Sequence, residues 1–168
     1  MTAKVWNVGD VLTASDVNVF LAPLSGVKSA NQIVNSGNTG STFVSDADMR
    51  FAVAANSIYE FHVYLRYSSP TGADWKSSFT VPTGASARFQ RIGNNNSGTF
   101  VGASDTADGD TLTSQGQGSG TIQDAQFFGW VATAGTAGNL IFLWAQNTSN
   151  AGNTTLYQYS YLTGRRIG

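Results

Sequence analysis

Hydrophobic and polar residues alternate along most of the chain after residue 30, and the clearest run is Ile58 to Tyr67. Tyr59, Phe61, Val63, Leu65 and Tyr67 fall on one side, with Ile58, Glu60, His62, Tyr64 and Arg66 on the other, the period of two that marks a strand. The second side mixes apolar and polar groups, as a face partly covered by a neighbouring subunit or sheet would. Met49-Arg50-Phe51-Ala52-Val53-Ala54 alternates similarly, and Ala55-Asn56-Ser57 reads as a hairpin turn joining the two runs. Further strands are predicted over Asn31–Asn35, Trp75–Val81, Ala87–Ile92, Thr121–Thr133, Leu140–Gln146 and Thr154–Ile167. Spacers rich in Gly, Asn, Ser and Asp separate them, and these residues tolerate tight turns and positive φ. Asn94–Gly120 holds few large apolar residues and reads as a long surface loop with one short strand near Thr111–Thr113. This spacing of strands and turns predicts an all-β fold, a jelly-roll-like β-sandwich over residues 31–168.

Residues 1–30 read differently. Thr13 is placed to cap a short helix, Asp16 sits where a carboxylate favours a helix N-terminus, and Val17, Phe20 and Leu21 share one face before Pro23 ends it. Upstream, Trp6 and Val8 are apolar residues in a terminal stretch, and something must cover them. The segment is expected to be an attachment element whose contacts are Trp6, Val8, Val17, Phe20 and Leu21. Its start has no apolar run of signal-peptide length, and no window is long and apolar enough for a membrane helix, so a soluble protein with no membrane partner is expected.

Composition supports strands over helices. The 168 residues include 19 Gly and only 11% charged residues, so the Lys, Glu and Arg that solubilise helices are scarce. A surface of hydroxyls and amides can be buried against another copy without stranding ions, which permits oligomers. Formal net charge is −1 and the only basic cluster is Arg165-Arg166, too little for nucleic acid. With no cysteine there is no disulfide framework, thiol nucleophile or thiolate metal site.

The search for chemistry finds little. His62 is the only histidine, and its place inside an alternating strand points to a structural role. Asp105, Asp108 and Asp110 lack the spacing and glycine position of an EF-hand loop. Glu60 is the only glutamate, and no partner for glycoside hydrolysis stands out among nine aspartates. Gly116–Gly120 lacks the lysine and helix of a phosphate-binding loop. No enzyme, metal or cofactor is expected. The aromatics remain, with Trp75, Trp130, Trp144 and Tyr157 as candidates for stacking on a glycan or for filling a core or an intersubunit seam.

The phrase Val5-Trp6-Asn7-Val8-Gly9-Asp10-Val11-Leu12-Thr13-Ala14-Ser15-Asp16-Val17-Asn18 resembles the W-x-x-G-(D/E)-x-(L/V)-T-A-x-x-(L/M/V)-N opening of small virion structural proteins of tailed phages infecting actinobacteria. These include minor tail, head-decoration and fibre proteins. The closing Tyr159–Ile167 run, Tyr59-Glu60-Phe61 and Phe79–Gly84 extend the resemblance along the chain. It implies a non-enzymatic virion part assembled in the host cytoplasm, a homotrimeric jelly-roll knob attached through its N-terminal segment to other proteins of head or tail. A receptor-binding module for a host surface glycan is the second expectation, and an enzyme acting on cell-wall polymers the third.

Overall fold

A computed structural model of the chain describes residues 7–11, 13–14, 24–37, 40–95, 97, 99–102 and 106–168. Thirteen strands follow in order: β1 (Leu24–Val27), β2 (Gln32–Val34), β3 (Val44–Val53), β4 (Ile58–Ser69), β5 (Trp75–Thr80), β6 (Ser86–Asn94), β7 (Phe100–Gly102), β8 (Thr106–Ala107), β9 (Leu112–Ser114), β10 (Gly118–Ala132), β11 (Gly138–Gln146), β12 (Thr154–Leu156) and β13 (Tyr161–Arg166). The alternation in β4 is realised as expected, with Tyr59, Phe61, Val63, Leu65 and Tyr67 all buried.

The strands form two antiparallel sheets. The larger runs β1-β13-β4-β10-β6-β7, with β12, β2 and β8 attached beside that path, and the smaller runs β3-β11-β5-β9. Counting only β1, β3, β4, β5, β9, β10, β11 and β13, in chain order as one to eight, the sheets read 1-8-3-6 and 2-7-4-5. That is the jelly-roll order, in which the last strand lies between the first and the third. β6, β7 and β8 are an insertion between the fourth and fifth of these strands, and they widen the larger sheet.

Three sequence expectations change. First, Ala55-Asn56-Ser57 is not a hairpin turn, because β3 and β4 lie in different sheets. It is an arch pinned to the neighbouring β10–β11 arch: the Asn56 N–H donates to the Ala134 carbonyl (2.8 Å), and Ser57 and Thr133 exchange bonds at 2.9 Å. Second, the strand expected over Thr154–Ile167 breaks between β12 and β13, where Tyr159 takes a φ of 70°. β1 and β2 break at the same level, and the two breaks are tied by bonds from the Lys28 N–H to the Ser160 carbonyl (2.8 Å) and from the Tyr159 N–H to the Lys28 carbonyl (3.0 Å). Third, the loop expected over Asn94–Gly120 contains β7, β8 and β9 rather than one short strand. Leu24–Val27, inside the 1–30 stretch, is paired along its length with β13.

Between the sheets lies an aromatic core. Trp75 and Trp144 are fully buried and stack at 4.8 Å with 2° between their planes. Phe79 packs its ring against Phe61, Phe89 and Phe142 at 4.8–5.4 Å. Two glycines make room for this set. A side chain at Gly129 would strike the Phe61 ring, and one at Gly164 the Phe51 ring.

Along the β1 side the sheets are joined by a polar clamp. The β3–β11 register shifts between Ile141 and Leu143, so residues 46–49 bulge out of the ladder. Asp46 Oδ1 accepts the freed N–H groups of Asp48 and Met49 at 2.9 Å each. This puts a carboxylate at 1% exposure, and the buried Lys28 answers it, with Nζ 3.0 Å from Asp46 Oδ2 and 3.6 Å from Asp48 Oδ2. Asp46 and Asp48 therefore lie within β3, in its bulge, so this strand begins before the alternating Met49–Ala54 run. Gly26 of β1 sits so close that a Cβ there would lie 2.1 Å from the Asp48 carbonyl oxygen.

Two predictions follow from the clamp. Gly26→Ala must push β1 off β3, and a loss of about 1–3 kcal/mol of unfolding free energy is expected from urea denaturation. A wild-type midpoint would refute the close approach. Separately, the backbone N–H of Ser29, its hydroxyl and the nearby Lys28 hold the Asp48 carboxyl below the usual carboxylate range. A lowered folded-state pKa stabilises above the unfolded value and is lost as pH falls through the folded one. The midpoint advantage of wild type over Asp48→Asn should be full at pH 7 and shrink below about pH 4; a pH-independent difference would contradict this reading.

Candidate functional site

The larger sheet presents ring systems on its outer face in a connected set. β13, β4, β10 and β6 pair in register, so their outward residues line up in rows across the larger sheet. One row is Arg165, Glu60, Trp130 and Arg88. The next is Thr163, His62, Phe128 and Gln90, and a third contains Tyr161, Tyr64, Gln126 and Ile92. These are the residues left over once the alternate positions of each strand are committed to the core.

Within the rows the rings touch. His62 stacks on Phe128 (4.6 Å, 18°) and meets Tyr161 edge-on (5.9 Å), while Tyr64 stacks on Tyr161 (5.6 Å). His62 Nε2 lies 3.1 Å from Gln126 Oε1. Arg165 Nε donates to Glu60 Oε1 at 2.5 Å on an exposed part of the face. Burial pushes the Tyr64 hydroxyl above its ordinary value, with the Asp124 carboxylate adding to the effect. His62 is thus a ring in an aromatic stack, and Glu60 half of an ion pair.

The four candidate aromatics separate. Trp75 and Trp144 form the core stack described above, so neither can touch a glycan or a partner. Tyr157 is half-buried beside β12, its hydroxyl 3.1 Å from Ser68 Oγ. Trp130 alone of these lies on the outer face, 42% exposed. Of the attachment candidates, Val8 is fully exposed, whereas Trp6, Val17, Phe20 and Leu21 lie outside the described residues, as does the helix expected over Thr13–Pro23 beyond Ala14. Asp108 Oδ1 accepts the Ala87 N–H at 2.8 Å, a structural duty within the β6–β8 insertion. Among the described residues no three His, Asp or Glu side chains gather to hold a metal ion.

Phe128 was not among the four candidate aromatics, although the Phe127-Phe128 pair in the predicted Thr121–Thr133 strand carried a signal. Adjacent strand residues must face opposite ways, so one of the pair had to be outward, and it is Phe128. Tyr64 and His62 were already assigned to the second side of β4. Arg88 and Gln90 carried no signal of their own and Arg165 only that of a basic pair, because the strand order alone brings them into the rows of Trp130 and Phe128.

Substitution distinguishes the tryptophans. Trp144→Ala should cost about 3–5 kcal/mol or prevent folding, while Trp130→Ala should leave the urea midpoint nearly unchanged, because it removes a ring that the core does not use. A large loss at Trp130 would mean that the outer ring holds the fold together.

No protein-family model matches the chain, and no curated protein matches it. Among solved structures it is similar to the tripod from the baseplate of bacteriophage Tuc2009, with 12% identity over 99% of this chain and 75% of that chain and a TM-score of 0.45. It is also similar to the VP2 subviral particle of infectious bursal disease virus, with 11% identity over 100% of this chain and 46% of that chain and a TM-score of 0.21. Both are distant likenesses between β-rich chains, too slight to carry either protein's function to this one.

Proposed function

We propose that this chain is a non-enzymatic structural protein on the surface of a tailed-phage virion, attached to head or tail through residues before β1. The observation that supports this most is the order of parts: the Val5–Asn18 phrase, which resembles the opening of phage virion proteins, stands directly ahead of a complete jelly roll. Attachment falls to Trp6, Val8, Val17, Phe20 and Leu21, apolar residues placed before the sandwich begins at Leu24. The resemblance implies a homotrimer, and the low-charge surface suits burial between copies. The absence of catalysis fits the engagements of His62 and Glu60, which are stacked on Phe128 and paired with Arg165.

A second reading, adsorption to a host surface glycan, is favoured by the outer face. His62, Phe128, Tyr64 and Tyr161 stand there in ring contact, with Trp130 in the neighbouring row, all outside the core.

β1 begins at Leu24, so a truncation that removes residues 1–23 leaves the sheet intact. The shortened protein should keep the wild-type circular dichroism and yet be missing from purified particles, and the full chain carrying Trp6→Ala and Phe20→Ala should be depleted from them. Quantitative mass spectrometry of particles reads both. Normal occupancy of either variant would defeat the attachment reading, and absence of the wild-type chain from particles would defeat the whole proposal.

A further inference from the structure

Between the two charged and aromatic rows of the outer face runs a furrow. Its floor is the row Gly164, Phe61, Gly129 and Phe89, which is paired in register and points inward, so that only backbone faces out. Two depressions lie along it and meet at Phe128 and Gly129, one of about 430 Å³ over β13, β4 and β10, the other of about 260 Å³ over β10 and β6. The furrow thus crosses four strands. It spans about 14 Å from the first strand to the fourth and about 7 Å between its walls, from strand spacings of roughly 4.8 Å and rises of roughly 3.4 Å.

The walls differ in chemistry. On one side the Trp130 ring stands between the Glu60–Arg165 pair and Arg88, and on the other the stacked His62 and Phe128 rings stand beside Gln90. Rings at the middle offer flat apolar surface, while carboxylate, guanidinium and amide groups at the ends offer both donors and acceptors. A pyranose chain needs this alternation, since each ring has an apolar C–H face and a rim of hydroxyls. A protein partner needs more area, because a stable pair gives up roughly 800 Å² on each side and this strip offers about 100 Å².

We infer that the furrow is a binding site for an internal stretch of a linear oligosaccharide, about three pyranose units long by the strand spacing. The inference rests on the glycan-adsorption reading and deepens it. Trp130 stacks on the central sugar. Glu60 and Arg165 take hydroxyls at the β13 end, and Gln90 and Arg88 take them at the β6 end.

The test uses the full-length protein and, as probe, tri- to hexasaccharides released by partial hydrolysis from the surface polysaccharide of the strain the particle infects. Isothermal titration of wild type, Trp130→Ala and Phe128→Ser is compared with Tyr159→Ala, which removes an exposed ring at the distant β12–β13 break. Binding should weaken about tenfold or more in the two furrow variants and stay at the wild-type value for Tyr159→Ala, with all melting temperatures close to wild type. No binding by wild type, or equal binding by Trp130→Ala, overturns the assignment. So does wild-type self-association in sedimentation that Trp130→Ala abolishes, which would make the occupant a second copy. The variants' copy number in particles is counted alongside. Glycan binding by wild type that the furrow variants keep sinks this inference alone, no glycan binding with normal incorporation sinks it together with the glycan-adsorption reading, and a wild-type chain missing from particles sinks the structural role and leaves the titration to be judged on its own result.

Discussion

The structure depends on a match between rings and missing side chains. Phe51 reaches across the sandwich over Gly164, and Phe61 leans over its neighbour Gly129 in the same sheet, each into space that exists only because those residues are glycine. Two stacked sheets lie about 10 Å apart, and aromatic side chains this large fill that gap only where a neighbouring strand or the facing layer leaves out a side chain. Gly129 and Gly164 provide the recess without ending the strands, since each sits in a continuous ladder flanked by paired residues. Aromatics offset by glycines let Phe79 touch three other rings at once.

The same match shapes the outside. A strand position that spends its inward side on a ring, or on nothing at all, offers only backbone outward. The row of Gly164, Phe61, Gly129 and Phe89 is therefore both the inner layer of the core and the floor of the outer furrow. Core packing and candidate binding surface are two sides of one sheet and are not separable. The clamp of Lys28, Asp46 and Asp48 acts elsewhere, fixing β1 against β3 where the two sheets approach. There the bulge in β3 creates the need for a buried carboxylate, and the carboxylate creates the need for a buried lysine.

Period and turn chemistry made the long strands legible: β4, β5, β6, β10 and β11 each overlap a predicted run, with ends displaced by a few residues. What alternation cannot carry is which sheet a strand joins. Met49–Val53 and Ile58–Tyr67 look like a hairpin because a short Ala-Asn-Ser link suits one, yet the same link also spans the two layers when Asn56 takes a φ of 50°. Short strands such as β7 and β8 hold too few residues to show a period. For the site, exposure was the missing quantity. Trp75, Trp130 and Trp144 are equivalent in a sequence, and only the closed sandwich separates two core indoles from one on the surface. Asp46 was invisible as a core residue because its burial follows from a bulge that no local pattern announces.

The jelly-roll order also fixes when this protein can become itself. β13 lies between β1 and β4, so this late strand fills a place inside the larger sheet and pairs with residues 97 to 140 positions earlier. Native pairing of this range is slow, because the closure entropy of the intervening chain must be met before any contact rewards it. During synthesis β1 and β4 remain apart, each with an unsatisfied edge, until residues 161–166 have left the ribosome. A chain lacking residues 161–166 would be left with the edges of β1 and β4 open, so the completeness of the larger sheet is decided by a strand made long after its two partners.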